Sequence, residues 1–212
     1  MYSIVIPTMW KSDIFNKAIM SYRKSKKISE IIIINNDIKK KIPIFFNHPK
    51  IKILNQNKNI FVNPSWNLGV QVAKNNNIII ANDDVFIHDL GRILTVVEKK
   101  GYDLVGLNLH KTNKSKFIEV DDMSNKKRPH GFGMFFIVKK DKYVNIPDEI
   151  KIWYGDDIQF YSTPKKAIFS APKAELEVSK TVKSNPRNKK IITEQDRPGY
   201  KKFVSENNLK IK

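Results

Sequence analysis

Three short apolar runs punctuate the first half of the chain, at residues 3–6, 30–34 and 77–80, each rich in isoleucine or valine and each closing on polar or turn-forming residues. Apolar character so nearly continuous over so few residues is the pattern of strands buried on both faces of a parallel sheet. Between these runs the period changes. Residues 13–22 set Ile14, Ala18 and Tyr22 four apart after Ser12, which predicts a helix capped by that serine with one stripe against the sheet. Residues 64–74 put Trp66, Val70 and Ala73 on one face, with Pro64 tolerated in a first turn. A weaker strand at 50–54 lies between the two helices. The order β-α-β-β-α-β predicts an open α/β sheet, a mixed but mostly parallel Rossmann-like layer flanked by helices, whose ligands collect outside the carboxyl ends of the strands.

The second half is less regular. Residues 90–100 predict a helix closed by Gly101, and 104–109 a further strand. A long apolar run at 132–138 follows His130-Gly131. After Asp156-Asp157 a short helix is expected at 158–161, then a strand at 167–169. The tail from Lys180 onward is charged and carries Pro186 and Pro198, which predicts an irregular or helical wrap over the sheet. With no internal repeat and no low-complexity block, one domain spanning 1–212 is the simplest organisation.

Composition changes this picture in two ways. The formal charge of +18 raises a nucleic-acid or anionic-membrane reading, since clustered Lys and Arg gain affinity by releasing counterions from phosphates. The lysines are instead scattered in small groups along the whole chain. Together with abundant Asn and Ile they match the drift of an AT-rich genome, so no specific nucleic-acid partner is expected. The chain has no cysteine, which excludes disulfides, thiolate metal sites and a thiol nucleophile. No apolar segment approaches the length of a membrane span, and the N-terminal run lacks the basic flank of a signal peptide, so a soluble cytoplasmic protein is expected.

The candidate chemistry begins where residues 78–81 deliver Asn82-Asp83-Asp84. Adjacent carboxylates at a strand end point different ways, so one can ligate a hard cation while the other reaches a hydroxyl; on residue types alone a simple turn accounts for them equally well. Asp37, after Asn35-Asn36, closes the second strand and could accept from a base or ribose, or form an Asx turn. Pro7-Thr8 ends the first strand in the same position. Trp153-Tyr154-Gly155-Asp156-Asp157 sets aromatics beside carboxylates, a pairing that suits a sugar, although a core Trp before a helix whose acids complement the dipole is the plainer account. The four histidines share no metal-ligand spacing. His130 stands out because Gly131 beside it permits close ligand approach.

The order of these features resembles the GT-A glycosyltransferases of the family 2 type. The first half matches through residues 3–8, the strand ending near Asp37, Asn67-Leu68-Gly69, and the run into Asp84. The second half matches through His130-Gly131, Lys139-Lys140, Pro147-Asp148-Glu149 and Tyr154-Gly155-Asp156-Asp157, which resemble that family's glycine, "FDE" and "GED" segments in order. The match runs from about Tyr2 to about Tyr161.

The resemblance implies a nucleotide-sugar-binding half at 1–100, an acceptor and catalytic half at 101–170 and a C-terminal wrap at 171–212. It further implies that Pro7, Thr8, Asp37 and Asn67 serve the donor nucleotide together with Asn82 and Asp83, and that Asp84, in the Asp-X-Asp position, ligates Mn²⁺ or Mg²⁺. Asp157 would be the general base, and Trp153, Asp156 and His130 would position the acceptor. The implied reaction moves a sugar from a nucleotide diphosphate, uridine-linked, to a hydroxyl of a glycan or glycoprotein, with inversion. Three positions depart from the pattern. Asn82 replaces the usual first Asp, Trp66 stands where many relatives have Arg, and no late His completes a metal shell, so its place falls to Glu175, Glu177, water or the diphosphate. Compact length and Lys/Asn/Ile richness also resemble stand-alone glycosyltransferase modules of large DNA viruses. Two other classes remain open on the residues: a basic nucleic-acid-binding protein, and a phosphodiesterase holding two cations with Asp83, Asp84, Asp156 and Asp157.

Overall fold

Isoleucines at adjacent positions of one strand must bury opposite faces, so a run such as Ile31-Ile32-Ile33-Ile34 needs cover on both sides of its sheet. The computed structural model supplies it. It describes residues 1–177 and 185–211, so residues 178–184 and 212 of the expected C-terminal wrap lie outside the described residues. The elements in order are β1 (Tyr2–Thr8), α1 (Phe15–Tyr22), β2 (Ile28–Asn35), β3 (Ile51–Asn55), α2 (Val62–Val72), β4 (Asn77–Ala81), β5 (Val85–Ile87) and α3 (Leu90–Lys100). Then follow β6 (Leu104–Leu107), β7 (Glu119–Asp122), β8 (Phe135–Lys139), α4 (Gly155–Ser162), β9 (Lys166–Ser170), β10 (Ala174–Leu176), α5 (Pro186–Ile191) and α6 (Arg197–Glu206).

Eight strands form one sheet in the order β3-β2-β1-β4-β8-β6-β9-β7, and β5 pairs antiparallel with β10 beside it. β1 runs parallel to β2 and β4, β2 to β3, and β6 to β9; β8 is antiparallel to both β4 and β6, and β7 to β9. Alternate residues feed two cores. Ile4, Ile31, Ile33 and Ile79 pack with Phe15 and Ile19 of α1 and with Ile93 and Leu94 of α3. Val5, Ile32, Ile34, Ile78 and Ile80 pack with Trp66 and Val70 of α2 and with Ile158 and Phe160 of α4. No helix among the described residues is long and apolar enough to cross a membrane.

Several expected boundaries shift by a few residues, such as α2, which spans Val62–Val72 rather than 64–74, and two shifts change what a named residue does. α1 starts at Phe15 with Ile14 at its N-cap and no side-chain cap, so Ser12 caps nothing. α4 starts at Gly155, which places Asp156 and Asp157 inside its first turn rather than before it. The tail is helical from Pro186 and anchors on the loop before α4: Tyr200 stacks on Tyr154 at 4.6 Å between ring centres. The parallel register Thr8↔Asn35 brings the ends of β1 and β2 level, and the loop after β4 leaves at the same end of the sheet. This is the edge where a ligand crevice is expected.

Candidate active site

A cleft of about 800 Å³ opens at that edge. Its walls come from the loops after β1 and β4, the start of α2, the segment 128–134, the 152–157 turn into α4, and Leu176-Glu177. Among the described residues five carboxylates line it, Asp83, Asp84, Asp156, Asp157 and Glu177, against two cations, Lys11 and Arg128. The cleft is therefore formally −3 within a protein of +18. A nucleic-acid backbone would be repelled here unless cations intervened, whereas a metal-bound diphosphate would be accommodated.

Asp83 and Asp84 diverge as adjacent residues at a strand end must. Asp83 accepts a 2.6 Å hydrogen bond from the Thr8 hydroxyl, whose oxygen in turn accepts from the Trp10 N–H at 2.8 Å. Burial pushes the Asp83 carboxyl up, with the Thr8 hydroxyl and the Met9 N–H pulling the other way. Asp84 has no such partner: its Oδ1 is buried and unbonded. Its carboxyl is pushed up to about 7, first by burial and then by the neighbouring Asp83 charge. Buried polar atoms are rarely left unpaired in a native protein. Of the five such side-chain atoms among the described residues, three belong to residues of this cleft: Asp84 Oδ1, Ser12 Oγ and Trp66 Nε1.

The opposite carboxylates are fully engaged. The Arg128 guanidinium donates from Nε to Asp157 Oδ1 at 2.6 Å and from Nη2 to Oδ2 at 3.3 Å, and its Nη1 lies 2.8 Å from Asp156 Oδ2. Burial raises the Asp156 carboxyl despite the Arg128 charge beside it. This guanidinium stands among the carboxylates that a two-cation phosphodiesterase would need, which removes support for that reading. Gly133 makes room for the arrangement, since a Cβ there would sit 2.4 Å from Asp156 Oδ2. Gly133→Ala is expected to push Asp156 off Arg128 and destabilise the protein by about 1–3 kcal/mol. An unchanged melting temperature would contradict this packing.

The remaining expected residues divide. Pro7, Asn82, His130 and Trp153 line the cleft; His130 is exposed there, and Trp153, 46% exposed, offers a ring face at its rim. Two do not line it. Asp37 forms an Asx turn, accepting from the Lys39 N–H at 3.2 Å, and its neighbour Asn36 faces the cleft instead. Asn67 spends its amide on the loop before α4, donating to the Ile146 carbonyl at 2.8 Å and accepting from Tyr143 and the Ile146 N–H. Glu175 pairs with Lys17 and His88, while Glu177 lines the cleft and its N–H donates to the Asp84 carbonyl. Gly131 lines the cleft beside His130 and makes a left-handed turn at φ 80 against Leu109. Trp66 is buried edge-on against Phe136.

Sequence reasoning missed two residues. Arg128 ends a Lys-Lys-Arg run that reads as a solvated cluster; the signal was that only five of the 39 basic residues are arginine, the side chain whose planar fork suits bidentate pairing. Asp196, wholly buried, accepts from the N–H groups of Lys151, Ile152 and Trp153 and so shapes the turn that presents Trp153. No local signal marks it. Three aromatic residues, Trp10, Phe61 and Tyr154, adopt positive φ in the segments that build the cleft. Such conformations cost about 1–3 kcal/mol each and gather at functional sites.

The site fits a divalent metal in one limited sense. Among the described residues no three His, Asp or Glu side chains are set to enclose an ion. Asp84 nevertheless offers a free buried oxygen, and Mg²⁺-type sites commonly use one or two carboxylates completed by substrate phosphates.

No protein-family model and no curated protein matches the chain. Solved structures do. Residues 1–349 of S. aureus TarS superpose with a TM-score of 0.61 at 13% identity over 80% of this chain. The same protein in complex with UDP-GlcNAc gives 0.65 at 12% identity, covering all of this chain and 68% of TarS 1–349. GalNAc-T7 with UDP, GalNAc and Mn²⁺ gives 0.60 at 11% identity, covering all of this chain. The chain spans 60% of the TarS 1–349 chain in the first of these superpositions and 55% of the GalNAc-T7 chain. At these identities the likeness is one of architecture, and the architecture is the GT-A fold.

Proposed function

We propose that this chain is a divalent-metal-dependent glycosyltransferase domain that moves a sugar from a uridine diphosphate donor to a hydroxyl of a glycan or glycoprotein, with inversion. The observation that carries the reading is one cleft at the carboxyl ends of the strands, lined both by Asp84, with its unpartnered buried oxygen, and by Asp157. The structural neighbours holding UDP, UDP-GlcNAc and Mn²⁺ support the choice of donor and ion. A viral source rests on composition alone and gains nothing from these neighbours.

Each residue then has a defined task. Asp84 would hold Mn²⁺ or Mg²⁺ together with the diphosphate oxygens. Bound there, the ion supplies Lewis-acid stabilisation of the leaving diphosphate. Pro7 and Thr8 edge the nucleotide side, with Asn36 taking the place expected of Asp37. Asp83, fixed by Thr8, keeps the loop after β4 in position beside Asn82. On the far wall Trp153 stacks on the acceptor sugar, Asp156 and His130 bind its hydroxyls, and Asp157 takes the proton from the attacking oxygen. Attack from the face opposite the leaving group inverts the anomeric carbon.

Thermal shift tests the donor half of this reading. A UDP-sugar at about 100 times its Kd with Mn²⁺ should stabilise by about 2.7 kcal/mol, which raises Tm by about 5–10 °C for a chain of this size. Asp84→Ala should remove the part of the shift that depends on Mn²⁺. If no nucleotide sugar raises Tm with either ion, the proposal fails.

A further inference from the structure

Arg128 covers the carboxylate to which the proposed reaction assigns the proton. Its Nε and Nη2 cover both oxygens of Asp157, and its Nη1 reaches Asp156 and, at 3.3 Å, the Pro129 carbonyl. Three N–H groups of the guanidinium thus donate within the protein, and Nη1 also forms an ion pair with Asp156. A hydroxyl approaching Asp157 meets a carboxylate already carrying a donor on each oxygen. Each oxygen keeps a second lone pair, yet on the glycosyltransferase reading, in which Asp157 takes that hydroxyl's proton, the guanidinium crowds the approach and transfer is favoured when this contact loosens.

Three observations indicate that it can. Arg128 lies in an irregular stretch between β7 and β8, not on a helix or strand, so little backbone structure resists a swing of its side chain. The side chain is 23% exposed and lines the same cleft as Asp84, so an incoming ligand can reach it. Charge supplies the third: among the described residues that line the cleft, five carboxylates stand against the cations Arg128 and Lys11, the groups there that can meet an incoming diphosphate. The guanidinium fork matches phosphate as well as carboxylate.

We infer that Arg128 is the cleft's exchangeable anion-binding residue, held by Asp156 and Asp157 when the cleft is empty and drawn onto the donor's diphosphate when it is filled. Donor binding then uncovers Asp157, which makes the donor bind before the acceptor. Because the two anions compete for one guanidinium, weakening either contact strengthens the other.

The test measures Kd for UDP with Mn²⁺ by calorimetry, with no transfer required, on the wild type, R128A, D157N and the double variant. R128A should weaken binding by about tenfold or more, the scale of a lost charged hydrogen bond. D157N should tighten it several-fold, because a neutral side chain with one accepting oxygen holds Arg128 less strongly. In the R128A background that tightening should largely vanish, since no guanidinium remains to be shared. Equal binding by wild type and R128A would overturn the inference, as would a D157N effect equally large without Arg128, which would reduce it to charge repulsion through space. If R128A does not fold, R128K serves in the same cycle: it keeps the charge but not the fork, and should fall between wild type and the expected R128A value. A wild type that binds no UDP would instead remove the nucleotide-sugar reading itself, and this inference with it.

Discussion

Asp157→Asn is expected to lower sugar transfer by about 10²–10⁴-fold, the usual contribution of a positioned general base, while binding of the nucleotide sugar persists. An asparagine keeps the size of the side chain and one oxygen for Arg128, so the start of α4 should hold its place. It cannot accept the proton of an attacking hydroxyl. The control is Asp156→Asn in the neighbouring residue. Asp156, with its carboxyl raised by burial, meets Nη1 of Arg128 through one oxygen, and its assigned task is to bind the acceptor rather than to take the proton. Turnover by the two variants, measured with saturating donor and Mn²⁺, separates them. If Asp157→Asn retains turnover within tenfold of wild type, or if Asp156→Asn shows the greater loss, the base has been assigned to the wrong carboxylate.

How much of this was legible in the residues follows from how local each signal is. Strands buried on both faces announce themselves, because only apolar side chains are tolerated at every position; Ile31 to Ile34 and Ile78 to Ile80 are all fully buried. The helix at 90–100 was legible to the residue: Leu90, Ile93, Leu94 and Val97 form its buried stripe, and Gly101 closes it at φ 65. The short strands β5, β7 and β10 were not. β7 reads Glu-Val-Asp-Asp and is held by its pairing with β9, while β5 and β10 pair across 87 residues at Ile87 and Ala174, so nothing within either segment carries the information. The site divides along the same line. Asp84 and Asp157 could be singled out as candidates because each sits at a strand exit or helix start that local pattern predicts. Asp37 and Asn67 were placed in the donor pocket by resemblance, yet local hydrogen bonding decides both: an Asx turn claims the first and the Ile146 backbone the second. Arg128 became visible only through a contact 29 residues away.

Asp196→Ala should be among the most destabilising single changes in this chain. The carboxylate is fully buried and accepts from the Lys151, Ile152 and Trp153 N–H groups at 2.7, 3.0 and 2.8 Å. Truncation leaves three backbone donors without an acceptor, each costing about 1–3 kcal/mol unless water enters, so a total loss of about 3–5 kcal/mol is expected. For a chain of this length that lowers Tm by about 6–20 °C. Asp196→Asn should rescue only part of it, because an amide can turn one oxygen to these donors but must set its NH₂ against the others. The loss should also be uneven in function. The three donors belong to the turn that leads into Trp153 and into Tyr154 at φ 66, so the acceptor wall loosens while the strand ends that serve the nucleotide stay packed between the two cores. Below its lowered Tm, the variant should show a raised KM for the acceptor with the UDP-dependent thermal shift intact. An unchanged Tm would mean that the stacking of Tyr200 on Tyr154, not this carboxylate, holds the C-terminal segment to the site.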